Sequence, residues 1–167
     1  MIPATLASNP RLDRWVGFEP GGVVRVAFGK VEYGQGAVTA LAELAAEELD
    51  VAMDRLRVVN AATGEVPDEG LTVGSMSIEN SGASLRQACA EVRALMLVEA
   101  ARRLGCDAAD LAIDNGEVRL NGQATGEDYW TLASDVDLAR DADGLAEPKA
   151  SENGRVVGRS QPRLDLP

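Results

Sequence analysis

Residues 23–49 read VVRVAFGKVEYGQGAVTALAELAAEEL, and the hydrophobic period changes part-way along. Val23 to Val31 is rich in β-branched residues and reads as a strand. Pro20-Gly21-Gly22 just before it is a turn signal, so Arg14 to Phe18 and Val23 to Val31 pair as a β-hairpin. After Gly34-Gln35-Gly36, the residues Val38, Leu41, Ala42, Ala45 and Leu49 fall on one face of a 3.6-residue repeat, which makes Ala37 to Leu49 an amphipathic helix. Glu43, Glu47 and Glu48 lie largely off that face and are expected in solvent. Leu56 to Asn60 follows as a short strand.

Downstream, Ala61 to Glu69 is polar and aperiodic, a loop that Gly70 to Ser77 extends. Leu85, Ala88, Cys89, Val92, Leu95, Met96 and Ala100 then repeat at helical spacing through to Leu104, and Gly105 is placed to end the helix as a C-cap. Cys89 and Met96 sit on its apolar stripe and read as core. Asp114-Asn115-Gly116 joins two short strands, Leu111 to Ile113 and Glu117 to Leu120, as a hairpin. Asn121-Gly122 is a second turn, and Tyr129 to Ala133 begins a short helix. From Glu127 to Glu152 eight acids face only Arg140 and Lys149, a surface excursion or linker. Arg155 to Pro167 regains Val and Leu but holds two prolines, and reads as an extended arm that needs another surface to lie on, expected on a partner. The fold class is α+β, a small mixed β-sheet covered by two amphipathic helices. Residues 1–133 form the domain and residues 134–167 an acidic linker and C-terminal arm.

Composition excludes several classes of activity. The formal net charge of −11 and a pI near 4.4 argue against a phosphate-tracking nucleic-acid binder and a polybasic membrane-surface domain. Hydrophobic residues are 46% of the 167, but aromatics only 4%, so the core is aliphatic. Histidine is absent, which removes Ser-His-Asp and Cys-His catalysis and His-ligated metals. Two cysteines, Cys89 and Cys106, are too few for a zinc site or an iron–sulfur cluster within the chain, and read as reduced thiols. Met1 to Pro10 lacks the pattern of a secretory signal, and no stretch approaches the ~20 apolar residues a bilayer span needs. A cytoplasmic location is the expectation.

Two Gly- or Ser-rich loops are the motifs that carry chemistry. Gly34-Gln35-Gly36 joins a strand to a helix start, where backbone N–H groups point outward unpaired and the helix dipole favours an anion. A dinucleotide fingerprint would need glycine where Thr39 stands, and a Walker loop would need Ser or Thr after Lys30, where Val31 stands. The motif is a tight turn or a ligand contact. Thr72-Val73-Gly74-Ser75-Met76-Ser77 precedes the long helix, and its hydroxyls either cap that helix or meet phosphate or pterin oxygens. Glu32, Glu65, Asp68 and Glu69 are of the right type for general bases but read as solvated.

Taken together, Gly29 to Gly36, Thr39 to Ala42, Glu47 to Leu49, Pro67 to Ser77 and Gly82 to Arg86 resemble the molybdopterin-binding domain of the xanthine dehydrogenase/aldehyde oxidase family of molybdenum hydroxylases. Leu6 to Leu12 and Val157 to Pro167 are closest to the family branch that holds the isoquinoline 1-oxidoreductase β-subunit. The resemblance implies a molybdenum–molybdopterin cofactor, in the cytosine dinucleotide form, held by Gly34, Gln35 and Gly36 on one side and Gly74, Ser75, Met76 and Ser77 on the other. It also implies 2Fe–2S clusters to receive electrons.

The departures shape the functional expectation. The family's catalytic glutamate aligns with none in this chain, and the cluster-ligating cysteines are missing. No catalytic or metal-ligating residue is therefore carried over. The resemblance implies a small cofactor-binding subunit of a split hydroxylase, acting on an N-heteroaromatic or aldehyde substrate with water-derived oxygen. A larger subunit would supply the base, and a separate 2Fe–2S subunit would take the electrons; neither nucleic acid nor membrane is an expected partner. The alternative is a non-catalytic structural or assembly subunit of such a complex.

Overall fold

The computed structural model describes residues 2–59, 61–150 and 154–165. After a short helix α1 (Ala4–Ser8), strands β1 (Val16–Glu19) and β2 (Val23–Ala27) form the expected hairpin, with Val16 opposite Val26 and Glu19 opposite Val23. Helix α2 (Ala37–Leu49) then crosses over, so that β3 (Leu56–Val59) runs parallel to β2, Val24 opposite Leu56. A parallel neighbour requires such a crossover, because a tight turn can only reverse the chain. Asn60, expected to end this strand, lies outside the described residues.

The long helix α3 (Ala83–Leu104) is entered through a wider π-helical turn, Ser77–Gly82, and ends at Gly105, whose φ of +67° no β-carbon opposes. Strands β4 (Leu111–Asp114), β5 (Glu117–Leu120) and β6 (Gln123–Asp128) then form a separate antiparallel sheet. Both of its turns are Asn-Gly with positive φ at each residue, 51° and 83° at Asn115-Gly116 and 51° and 81° at Asn121-Gly122. That is the turn whose twist matches paired strands. Helix α4 (Tyr129–Leu132) opens with a reciprocal cap between Asp128 and Thr131.

The fold is therefore α+β: β1-β2-β3 is the expected mixed sheet, and β4-β5-β6 adds a second one. Val16, Val24 and Val26, Leu41, Ala45 and Leu49 of α2, and Leu85, Val92 and Met96 of α3 all point into one aliphatic core. Cys89 is fully buried there, and burial pushes its thiol well above the usual range.

Glu48 corrects the expectation of a solvated face on α2. It is 1% exposed, bonded to Arg93 at 2.8 Å, and takes the Lys149 N–H at 3.0 Å. The carboxylate is tolerated because donors from α3 and from beyond the second sheet reach it. Residues 134–150 contain no helix or strand and run back across the domain: Leu12 N–H donates to Arg140 O, Asp143 and Gly144 N–H to Glu91, and Gln87 to Ala146 O. Ser151 and Glu152 of this stretch, and Leu166 and Pro167 of the arm, lie outside the described residues. The described arm also touches its own chain, with the N–H groups of Arg155, Val156 and Val157 on the Glu47 carboxylate.

Candidate functional site

Segments 29–33 and 69–72, some forty residues apart, lie side by side and carry the two Gly- or Ser-rich loops onto one face. Gly29 N–H donates to the Glu69 carboxylate at 2.7 Å, and Lys30 Nζ to the carbonyls of Glu69 and Leu71 at 2.9 and 3.2 Å. Val31 N–H donates to Thr72 Oγ1 at 3.0 Å. The approach is closest at Gly29, where a β-carbon would lie 2.3 Å from Pro67 O. Only glycine fits there.

The turn at Gly34, Gln35 and Gly36 is self-contained. Glu32 Oε1 accepts the N–H groups of Gly34 and Gly36 at 2.8 and 2.9 Å, and Oε2 accepts that of Val38 at 3.1 Å. Partial burial pushes the Glu32 carboxyl upward, but the donors from Gly36, Val38 and Gly34 together outweigh it and hold it below the usual carboxylate range. Gln35 folds back, its Oε1 taking Tyr33 N–H and its Nε2 donating to Val31 O. Arg163 of the arm donates to Gly34 O at 3.2 Å, and Leu164 N–H to Thr39 Oγ1 at 2.9 Å. The expectation of unpaired donors at the start of α2 is thereby corrected: the chain's own carboxylate occupies that anion position.

The second loop differs. Gly74 and Ser75 adopt positive φ, 68° and 58°, and Ser75 and Met76 are exposed. Among the described residues, no acceptor takes the N–H groups of Gly74, Ser75 or Met76, and no side chain caps the turn that Ser77 opens. Backbone donors and two hydroxyls at an uncapped helical start suit phosphate and pterin oxygens, so this loop fits an anionic pterin group. The first loop does not fit as an anion site. What it leaves for a ligand is the second Nε2 hydrogen of Gln35 and the remaining lone pairs of Gln35 Oε1 and Gly34 O.

Around both loops Val31, Tyr33, Leu71, Val73, Met76 and Ile78 are exposed, with Tyr33 at 69% and Leu71 at 81%. Exposed apolar side chains on and beside both loops are what a binding face presents. Of the candidate general bases, Glu69 is not solvated but 8% exposed, and Glu32 is a turn cap. Sequence reading missed both roles. An acid two and four residues ahead of the two turn glycines was the available signal for Glu32; for Glu69 no local signal existed. Among the described residues no helix is long and apolar enough to cross a membrane, and no three His, Cys, Asp or Glu side chains group to hold a metal ion.

The sequence pattern of one family, the molybdopterin cofactor-binding domain, matches residues 3–160. The chain belongs to that family. As a molybdopterin cofactor-binding domain of the molybdenum hydroxylases, it is 36% identical over 93% of its length to a nicotinate dehydrogenase chain of Pseudomonas putida, covering 13% of that protein. It is 29% identical over 99% of its length to the isoquinoline 1-oxidoreductase β-subunit of Brevundimonas diminuta, covering 26% of it. Among solved structures, CO dehydrogenase from Oligotropha carboxidovorans superposes with a TM-score of 0.61 at 28% identity, covering 71% of this chain and 15% of that one. The domain thus spans about an eighth and about a quarter of the length of these two curated relatives.

Proposed function

We propose that this chain forms one wall of the cofactor site in a multi-subunit molybdenum hydroxylase. The observation that carries the reading is the Gly74–Ser77 loop, whose uncommitted donors share a face with the Gly34–Gly36 turn. In this reading the N–H groups of Gly74, Ser75 and Met76 and the hydroxyls of Ser75 and Ser77 hold the pterin and its phosphate. The cytosine dinucleotide form is the one proposed. The turn at Gly34, Gln35 and Gly36 orients the group from the opposite side through the Gln35 amide. The apolar rim from Val31 to Ile78 excludes water and receives the rest of the enzyme, since two open loops cannot enclose a group of this size.

When bound, the molybdenum centre would supply the two-electron oxidation, accepting the substrate's electrons while oxygen from water enters the product. The base belongs to a larger partner subunit, and 2Fe–2S clusters on another accept the electrons, all in the cytoplasm. An N-heteroaromatic substrate is favoured over an aldehyde, in keeping with relatives named for nicotinate and isoquinoline.

Affinity purification from the source organism, with molybdenum, iron and pterin analysis, tests this reading. Molybdenum, iron and pterin arriving with further polypeptides support it; a chain free of all three sinks it. The filled α2 start and the folded-back Gln35 favour a second reading, an assembly subunit that contacts no cofactor. Under the first reading, replacing Ser75 and Ser77 by alanine lowers pterin content. Under the second, pterin stays at parental level.

A further inference from the structure

Donors from three separate parts of the chain meet on the Glu69 carboxylate. Oε2 accepts from Gly29 N–H at 2.7 Å and from the fully buried Ser81 hydroxyl at 2.8 Å; Oε1 accepts from Thr5 Oγ1 at 3.1 Å. Because the one Thr5 proton points at Glu69, Ser84 Oγ must donate to Thr5, and Ser84 itself accepts Leu6 N–H at 3.1 Å. The order of protons through the network is therefore set by the carboxylate.

Among the described residues no arginine or lysine head neutralises this group directly; the neighbouring Lys30 Nζ goes instead to the Glu69 and Leu71 carbonyls. A carboxylate 8% exposed is costly unless every donor is well placed, so the cluster holds its members to one geometry. Its position is what gives that geometry a purpose. Gly29 lies five residues ahead of Gly34, Glu69 five ahead of Gly74, and Ser81 four after Ser77.

We propose that Glu69 is a positioning residue for the cofactor site: by binding Gly29 and Ser81 at once, it sets the spacing between the Gly34–Gly36 turn and the Gly74–Ser77 loop. The proposal rests on the reading that those two loops contact the cofactor. Glu69→Ala leaves the Gly29 N–H and the Ser81 hydroxyl without acceptors and loosens the spacing of the loops, while the Lys30 bonds to the Glu69 and Leu71 carbonyls and the Val31–Thr72 bond keep the segments adjacent. Glu69→Gln is the conservative rescue. Its carbonyl oxygen serves Gly29 and Ser81 while its NH₂ turns to Thr5, whose hydroxyl accepts it and donates to Ser84 instead. The proton order reverses and the spacing survives.

The experiment uses the full chain with whatever copurifies, and measures pterin released per folded chain together with hydrogen exchange over residues 29–33 and 70–77. Leu132→Ala, in α4 and remote from the loops, serves as a control for lost stability. The expected result is pterin content about tenfold lower in Glu69→Ala, as loss of buried hydrogen bonds implies, with parental content in Glu69→Gln and Leu132→Ala. Parental content in Glu69→Ala overturns the proposal, as does an equal loss in Leu132→Ala. A parent without pterin sinks the functional reading itself, and exchange then decides alone. Faster exchange in Glu69→Ala upholds the spacing role, and parental rates overturn it.

Discussion

Gly29 and Gly34 are glycines for different physical reasons, and substitution separates them. At Gly34 the φ of +104° excludes a side chain although space is open; at Gly29 the β-carbon itself meets the Pro67 carbonyl. Backbone cannot swing aside as a flexible side chain can. Gly29→Ala is therefore expected to lower stability by about 1–3 kcal/mol, the usual range for overpacking, as read by urea unfolding. Glu32 makes a prediction in pH. Its carboxyl is held low in the folded chain, so the stability it adds is fully present above the ordinary glutamate value of about 4.3 and is lost as pH falls through the lower folded value. The gap in unfolding midpoint between the parent and Glu32→Gln should be constant near neutrality and close in acid; a gap that widens in acid would refute this. The Gly29 contact left no trace in the sequence, and for Glu32 the only signal was its spacing from the two turn glycines. A carboxylate can be read there, but its donors come from a turn whose curl the residue types do not display.

At the scale of elements, both main helices were legible, and what meets their starts was not. Ala37–Leu49 matches its expected bounds because an aliphatic stripe repeats at 3.6 residues. Asn115-Gly116 likewise announced its hairpin, since few residues besides Asn and Gly accept two successive positive φ values. What separates the two helical starts is tertiary in consequence. Glu32 caps α2, while the turn opening at Ser77 has no cap. Hydrogen exchange should show this directly. The amides of Gly34, Gly36 and Val38 are expected to exchange slower than those of Gly74, Ser75 and Met76 by about tenfold or more. Equal rates would mean that the second loop's donors are committed after all. Glu48 was misplaced for a related reason: an apolar stripe marks a buried face but cannot reveal that Arg93, Arg86 and Lys149 converge beside it.

Across the whole molecule, a few aromatic side chains join the two sheets. Tyr129 OH donates to Leu49 O at 2.9 Å, Trp130 Nε1 donates to Val23 O at 2.9 Å, and Phe18 lies 5.1 Å from the Tyr129 ring. Burial pushes the Tyr129 hydroxyl well above its usual range, so it stays a donor throughout the accessible pH range. Tyr129→Phe should cost about 1 kcal/mol, the net worth of one such bond, in urea unfolding, without altering the fold by circular dichroism. The sequence by itself determined the α+β class, the bounds of α2 and the end of α3, the hairpin turns and the family resemblance. Each of these depends on neighbours within one or two turns of chain, where residue type and spacing act directly. Tertiary structure alone decided that segments 29–33 and 69–72 run side by side, that Glu69 is buried among three donors, and that the arm lies along α2. Those outcomes depend on groups brought together from 12 to more than 100 residues apart, and only packing determines which carboxylate meets which donor.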